Sequence, residues 1–152
     1  MRLEKDFEEF ITLLNEHEVE YLIVGAYAVA YYARPRNTGD IDFFVNNSDE
    51  NITNLLTVLE NFGFGSLDLD INDFKDDDTV LQLGYEPIRI DIMTGISGIS
   101  FDEAFRNRNQ GKLGNQVAYF ISLGDLITNK RASDRTQDLA DAELLEQFQD
   151  EG

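Results

Sequence analysis

The run Asp40-Ile41-Asp42-Phe43-Phe44-Val45 constrains this chain more than any other stretch. Side chains of a strand alternate between faces, so Asp40 and Asp42 point one way and Ile41 the other. Asp is a poor strand former, and two carboxylates so close repel each other unless a cation lies between them. Hard oxygen ligands of this kind suit Mg²⁺ or Mn²⁺. A third carboxylate, Asp91, sits in the otherwise apolar run Ile88-Arg89-Ile90-Asp91-Ile92-Met93, where a charge is costly unless paired or bound to metal. The alternatives are a half-exposed strand for the first pair, and an ion pair with Arg89 or another Arg for Asp91.

Upstream, Tyr21 to Val24 reads as a short buried strand that ends at Gly25, and Ala26 to Ala33 reads as a short helix. A glycine at such a turn lets a phosphate approach the backbone, with helix N–H groups pointing at it. A tight turn with no ligand is the plainer reading of Gly25. Arg34-Pro35-Arg36-Asn37-Thr38-Gly39 breaks the helix before the Asp40 strand.

The rest of the chain alternates α and β. Leu3, Phe7, Phe10, Ile11 and Leu14 space a first helix over residues 3–17. Ser48 caps another, with Ile52, Leu55, Leu56 and Leu59 on one face and Asn61 and Gly63 at its end. Residues 65–78 are acidic and irregular. Strands are expected at 79–83, 88–93 and 116–121, the first two joined by a turn containing Gly84 and Pro87. Ser100 with Glu103, and Ser122 with Asp125, mark helix starts, and a last helix covers 134–149 with Ala140, Leu144, Leu145 and Phe148 inward. The expected fold is α/β in the α+β sense: one domain over 1–152, a mixed sheet of about 4–6 strands flanked by helices, and a helical C-terminal segment over about 122–149.

Composition narrows the chemistry. The 152 residues carry a net charge of −18, which opposes broad nucleic-acid binding and anionic membranes. Basic residues gather at Arg34 and Arg36, and at Arg106, Arg108, Lys130, Arg131 and Arg135. No cysteine is present, which removes disulfides, thiolate zinc sites and a Cys nucleophile. The longest apolar run, Tyr21 to Ala33, falls short of the roughly 20 residues that span a bilayer, and Met1 leads into a charged stretch rather than a signal peptide. A soluble, cytoplasmic protein is the expectation.

Val24-Gly25-Ala26, then Thr38-Gly39-Asp40-Ile41-Asp42-Phe43, then Asp91 resemble the three motifs of the polymerase-β-like nucleotidyltransferase superfamily, and within it the minimal stand-alone prokaryotic proteins. The likeness extends through Gln82-Leu83-Gly84, Arg89-Ile90-Asp91, Gly98 to Phe101 and the tail Asp125 to Ala132 with Arg135, Asp138 and Asp141, covering roughly residues 5–147. It implies transfer of a nucleoside monophosphate from a nucleoside triphosphate (NTP) to an acceptor hydroxyl. Asp40 and Asp42 would hold two metals, and Asp91 would share the catalytic one and help activate the acceptor. Gly25, Ala26, Thr38 and Lys130 would serve the nucleotide. The resemblance also raises a toxin–antitoxin pairing. With 152 residues there is little room for a dedicated acceptor domain, so the expectation is that a partner, or a second subunit in a homo-oligomer, completes the cleft, and that the acceptor is a partner protein or RNA. One departure stands out: the superfamily commonly has Gly-Gly or Gly-Ser where this chain has Gly25-Ala26. A non-catalytic nucleotide- or partner-binding module is the alternative.

Lys130 continues the inward stripe of Leu123, Leu126 and Ile127, and an inward Lys needs an anion, either a triphosphate oxygen or a carboxylate such as Asp138. Arg131 and Arg135 read as partners of nearby acids, Arg34 and Arg36 as solvated charge within reach of phosphates, and His17 as a helix-end residue. Asp68, Asp70 and Asn72 begin like an EF-hand loop, but Asp73 and Thr79 stand where Gly and Glu are needed. Gly63 and Gly65 lack the third glycine of a dinucleotide fingerprint.

Overall fold

A computed structural model describes residues 5–35, 38–85 and 88–151. Leu3, Arg36, Asn37 and Pro87 lie outside them. Among the described residues six strands form one mixed sheet: β1 (Tyr21–Val24), β2 (Asp40–Val45), β3 (Val80–Tyr85), β4 (Ile88–Met93), β5 (Asn109–Leu113) and β6 (Gln116–Phe120). Their order across the sheet is β3-β4-β2-β1-β6-β5. The central pairs are antiparallel for β1–β2 and parallel for β2–β4 and β1–β6, while both edge strands join by antiparallel hairpins. Six α-helices among the described residues pack around it: α1 (Lys5–Glu16), α2 (Gly25–Tyr32), α3 (Asp49–Leu59), α4 (Phe101–Arg106), α5 (Leu123–Ala132) and α6 (Thr136–Glu151).

The alternation of β1 and β2 divides the core. Tyr21, Ile23, Ile41, Phe43 and Val45 join Phe7, Phe10, Ile11 and Leu14 of α1 and Ile52, Leu55 and Val58 of α3 on one face. Leu22, Val24 and Phe44 join α2, α4, α5 and α6 on the other, through Ala28, Val29, Phe101, Leu126, Ile127 and Leu145. Large buried side chains of this kind each contribute on the order of 2 kcal/mol, so the two layers fix which way β2 faces. A slip of one residue would send Asp40 and Asp42 into the α1–α3 layer.

Both capping patterns form: Ser100 accepts from the Glu103 N–H (3.3 Å) and Ser122 from the Asp125 N–H (3.2 Å). Ser48 caps α3 through Asn51 N–H. The chain past α3 does not stop at Asn61; it winds on to Phe64, with Gly63 at φ 107 allowing the kink. Residues 65–67 and 71–74 are 3₁₀ turns, the second closed by an Asp70–Asp73 capping box. His17 sits at the end of α1, its Nε2 3.2 Å from the Asn61 amide. Two differences from the sequence expectation have physical causes. β5, Asn-Gln-Gly-Lys-Leu, is a polar edge strand with no apolar alternation to signal it. Ala140 is exposed on α6, because Asp138, Asp141, Ala142 and Leu145 form the inward face.

Candidate functional site

The three aspartates meet on the sheet face that carries α2, α5 and α6. β2 and β4 run parallel with Asp40 opposite Arg89 and Asp42 opposite Asp91, so one register brings four charged residues together. Thr38 fixes the start of β2: its hydroxyl accepts from Asp40 N–H (3.2 Å) and lies 3.4 Å from the Asp40 carbonyl. The backbone N–H of Arg89 donates to the Gly39 carbonyl (3.0 Å), locking the two strands at the same level.

Arg89 forms the site's main ion pairs. Its Nε and Nη2 donate to the two oxygens of Asp91 at 2.7 and 3.1 Å, and Nη2 also donates to Asp40 Oδ2 at 3.2 Å. A planar guanidinium suits this forked geometry as an ammonium would not. The other oxygen of Asp40, Oδ1, is shut off from water and has no hydrogen-bond partner among the described residues. A buried acceptor left in that state is costly. Burial, then the charge of Asp91, a hydrogen bond shared with it, and the charge of Asp40 push the Asp42 carboxyl up to about 7, against Lys130, which pulls it down.

Gly25 opens the turn from β1 into α2 at φ +68, and a Cβ there would lie 2.1 Å from Asp42 Oδ2. The glycine therefore serves both a left-handed backbone and the room for a carboxylate. Ala26 follows in the first turn of α2, where amide N–H groups have no intrahelical partner. Lys130 is buried and paired: Nζ donates to Asp138 Oδ1 (3.1 Å) and lies 3.4 Å from Asp141 Oδ2. Arg131 pairs with Glu146 and Arg135 with Asp138. Arg34 is exposed.

The donor set suits a hard divalent cation. Asp40 Oδ1 has no partner among the described residues, and Asp42 is driven toward protonation by burial and by its acidic neighbours, a strain that a cation would relieve. Among the described residues no three acidic or histidine side chains already surround a common point, and Arg89 supplies the positive charge between Asp40 and Asp91. Entry of a metal would thus exchange some of Arg89's contacts. In the sequence, Arg89 stands as an ion-pair partner for Asp91 and as part of the Arg89-Ile90-Asp91 likeness, with no link to Asp40. The signal for its wider part was its position two residues before Asp91, on the same face of the same strand.

The fold is that of nucleotidyltransferases. It is similar to a lincosamide antibiotic adenylyltransferase, LnuA, solved with lincomycin bound (13% identity, 96% of this chain and 98% of that one, TM-score 0.57). It is equally similar to a candidate nucleotidyltransferase from Thermotoga maritima (13%, 96% and 91%, TM-score 0.57). A nucleotidyltransferase-like antigenic protein from Paracoccidioides brasiliensis follows at 13%, 96% and 77%, with a TM-score of 0.54. No protein of curated function matches the sequence. The family model for nucleotidyl transferases of unknown function (DUF2204) matches residues 3–152, and the chain belongs to that family.

Proposed function

We propose that residues 1–152 act as one domain that transfers a nucleoside monophosphate from an NTP to an acceptor hydroxyl, using Asp40, Asp42 and Asp91 with Mg²⁺ or Mn²⁺. The observation that carries this reading is the buried meeting of Asp42 with Asp91 beside Asp40, whose Oδ1 has no partner among the described residues. Asp40 and Asp42 would hold the metals and Asp91 would share the one nearest the acceptor. Bound metal would neutralise the triphosphate and favour departure of pyrophosphate.

The chain's own residues do the remaining work. Free amides at the start of α2, reached across Gly25 and Ala26, take phosphate oxygens. Thr38 acts indirectly, by holding the Asp40 backbone. Lys130 contributes positive charge on the α5 side. The acceptor oxygen attacks the α-phosphorus, the bond from that phosphorus to the bridging oxygen of the β-phosphate breaks, and pyrophosphate leaves with the electron pair. The acceptor's proton passes to Asp91. A toxin–antitoxin setting rests on the superfamily resemblance, a partner protein, RNA or second subunit at the cleft on the shortness of the 152-residue sequence, and a cytoplasmic location on its lack of cysteine.

A second reading, a non-catalytic nucleotide- or partner-binding module, is favoured by one observation: Arg89 already ties Asp40 to Asp91. Calorimetric titration with each NTP, with and without Mg²⁺, separates the two. Metal-dependent binding that is lost in Asp40→Asn/Asp42→Asn supports the enzyme, and labelled nucleotide then finds the acceptor. Failure of the folded protein to bind any NTP would sink it.

A further inference from the structure

Strand pairing extends the Asp42–Asp91 line in both directions. Gln82 of β3 stands opposite Asp91, and Val24 of β1 opposite Asp42, so one line across the sheet reads Gln82, Asp91, Asp42, Val24. Opposite residues of an antiparallel pair share a face, with Cβ atoms about 5 Å apart. Two residues further along, the line Val80, Met93, Phe44, Leu22 is apolar throughout.

The two lines are covered unequally. Leu22, Val24 and Phe44 are buried among the helices of this face. At the β3 end Gln82 and Gly84 are exposed, Val80 is 55% exposed and Met93 is half-buried. The other face of β3 is closed, since Leu81 and Leu83 pack into the α1–α3 layer. β3 is therefore the open side of the aspartate site.

The Gln82 side chain makes no hydrogen bond with another described residue. A carboxamide both donates and accepts, as holding a hydroxyl requires. Charge narrows what can lie there. β3, Val80-Leu81-Gln82-Leu83-Gly84-Tyr85, carries no charged residue and follows directly on Asp76-Asp77-Asp78. Arg89 on the next strand is engaged by Asp40 and Asp91, and Lys75 by Asp49. A phosphate-rich acceptor would find no such cation to meet it.

We propose that β3 receives the acceptor: Gln82 holds the hydroxyl beside Asp91, Val80 and Met93 support the carbon body, and the acceptor is an uncharged, partly apolar hydroxyl compound rather than a nucleic acid. This rests on the transfer reaction proposed above.

Two probes test it. 1-Phenylethane-1,2-diol joins an apolar ring to two hydroxyls, and 2-hydroxy-2-phenylethanesulfonate ends the same skeleton in an anion that coordinates metals poorly. Each is titrated into ¹⁵N-labelled protein with ATP and Mg²⁺, following the Gln82 side-chain amide and the β3 backbone by NMR, while calorimetry on the same preparation reads ATP binding. The diol should shift the Gln82 and Val80 signals. The sulfonate should bind about 10-fold more weakly or worse, because it brings a like charge beside the aspartates. Gln82→Ala should weaken the diol about 5-fold, the worth of one neutral hydrogen bond, and spare the ATP affinity. A merely structural Gln82 would lower the melting temperature and leave diol affinity intact. Val117→Ala, at an exposed apolar residue of β6, should leave diol binding unchanged. Diol shifts absent from β3, a sulfonate that binds as tightly as the diol, or Gln82→Ala equal to wild type each overturn the assignment. A wild type that takes the diol on β3 but binds no ATP overturns the transfer reaction instead.

Discussion

Asp42 shows most directly how single residues set the site's properties. Its carboxyl titrates near 7 in the folded chain and at its ordinary value of 3.8 when unfolded. Between those values the folded state keeps a proton that the unfolded state has lost, so stability falls as pH rises from about 4 through 7. Asp42→Asn removes that cost. The variant should match wild type near pH 4 and exceed it at pH 8 by roughly 2–4 kcal/mol, read from urea unfolding at the two pH values. An equal offset at both would show that the carboxyl is not strained. Asp138 behaves oppositely. Burial raises its carboxyl, but hydrogen bonds from Ser133, Arg135 and Lys130, with the charge of Lys130, outweigh that and lower it to about 2. Its contribution is present above pH 4 and is lost as pH falls through 2. Gly25→Ala adds a methyl group into Asp42 Oδ2 at a left-handed φ. It should cost about 2 kcal/mol or more and abolish NTP binding in protein that still folds, which denaturation and calorimetry on one preparation will check.

At the scale of elements, legibility followed signal strength. β2 and β4 emerge at the residues expected because each is an apolar run with charged residues on alternate positions, Asp40 and Asp42 in one and Arg89 and Asp91 in the other. α3, α4 and α5 start where Ser48, Ser100 and Ser122 announce them. β5 was hidden: an edge strand is held by backbone hydrogen bonds to β6 alone and needs no apolar face. The inward face of α6 was misjudged at Ala140 because apolar spacing cannot reveal that two aspartates turn inward to meet a lysine on another helix. The candidate aspartates were legible as a set, but their joining by Arg89 depends on β2–β4 register, which no local pattern encodes. Asn51 is another such element-level device. Its side chain accepts from Glu20 N–H (2.7 Å) and donates to the Glu20 and Asn46 carbonyls, tying α3 to the ends of β1 and β2. Asn51→Ala would leave these buried backbone groups unpaired. About 2–3 kcal/mol should be lost in chemical denaturation, with little change in the m-value.

For the whole molecule, the decisive quantity is the net charge of −18. The sheet order and the two core layers were beyond the sequence, since β2 pairs with β4 across an intervening strand and helix. Charge, by contrast, acts without regard to topology. α6 alone carries Asp138, Asp141, Glu143, Glu146, Asp150 and Glu151 and no basic residue. Lys130, Arg131 and Arg135 are already paired with acids. Self-repulsion of such a surface opposes the compact state and is screened by salt, the Debye length falling from about 10 Å at 0.1 M to about 3 Å at 1 M. Exposed pairs such as Lys75–Asp49 weaken in the same salt, but each is worth only about 0–1 kcal/mol. Repulsion should therefore dominate. Raising KCl from 0.05 to 1 M is expected to lift the melting temperature by several degrees in calorimetry, since about 1 kcal/mol moves a domain of this size by roughly 2–4 °C. A melting temperature that falls with salt would mean that the acidic groups are compensated by pairs within the fold. The same repulsion should slow approach of any polyanionic acceptor at low salt, whereas a neutral or cationic acceptor would not be slowed.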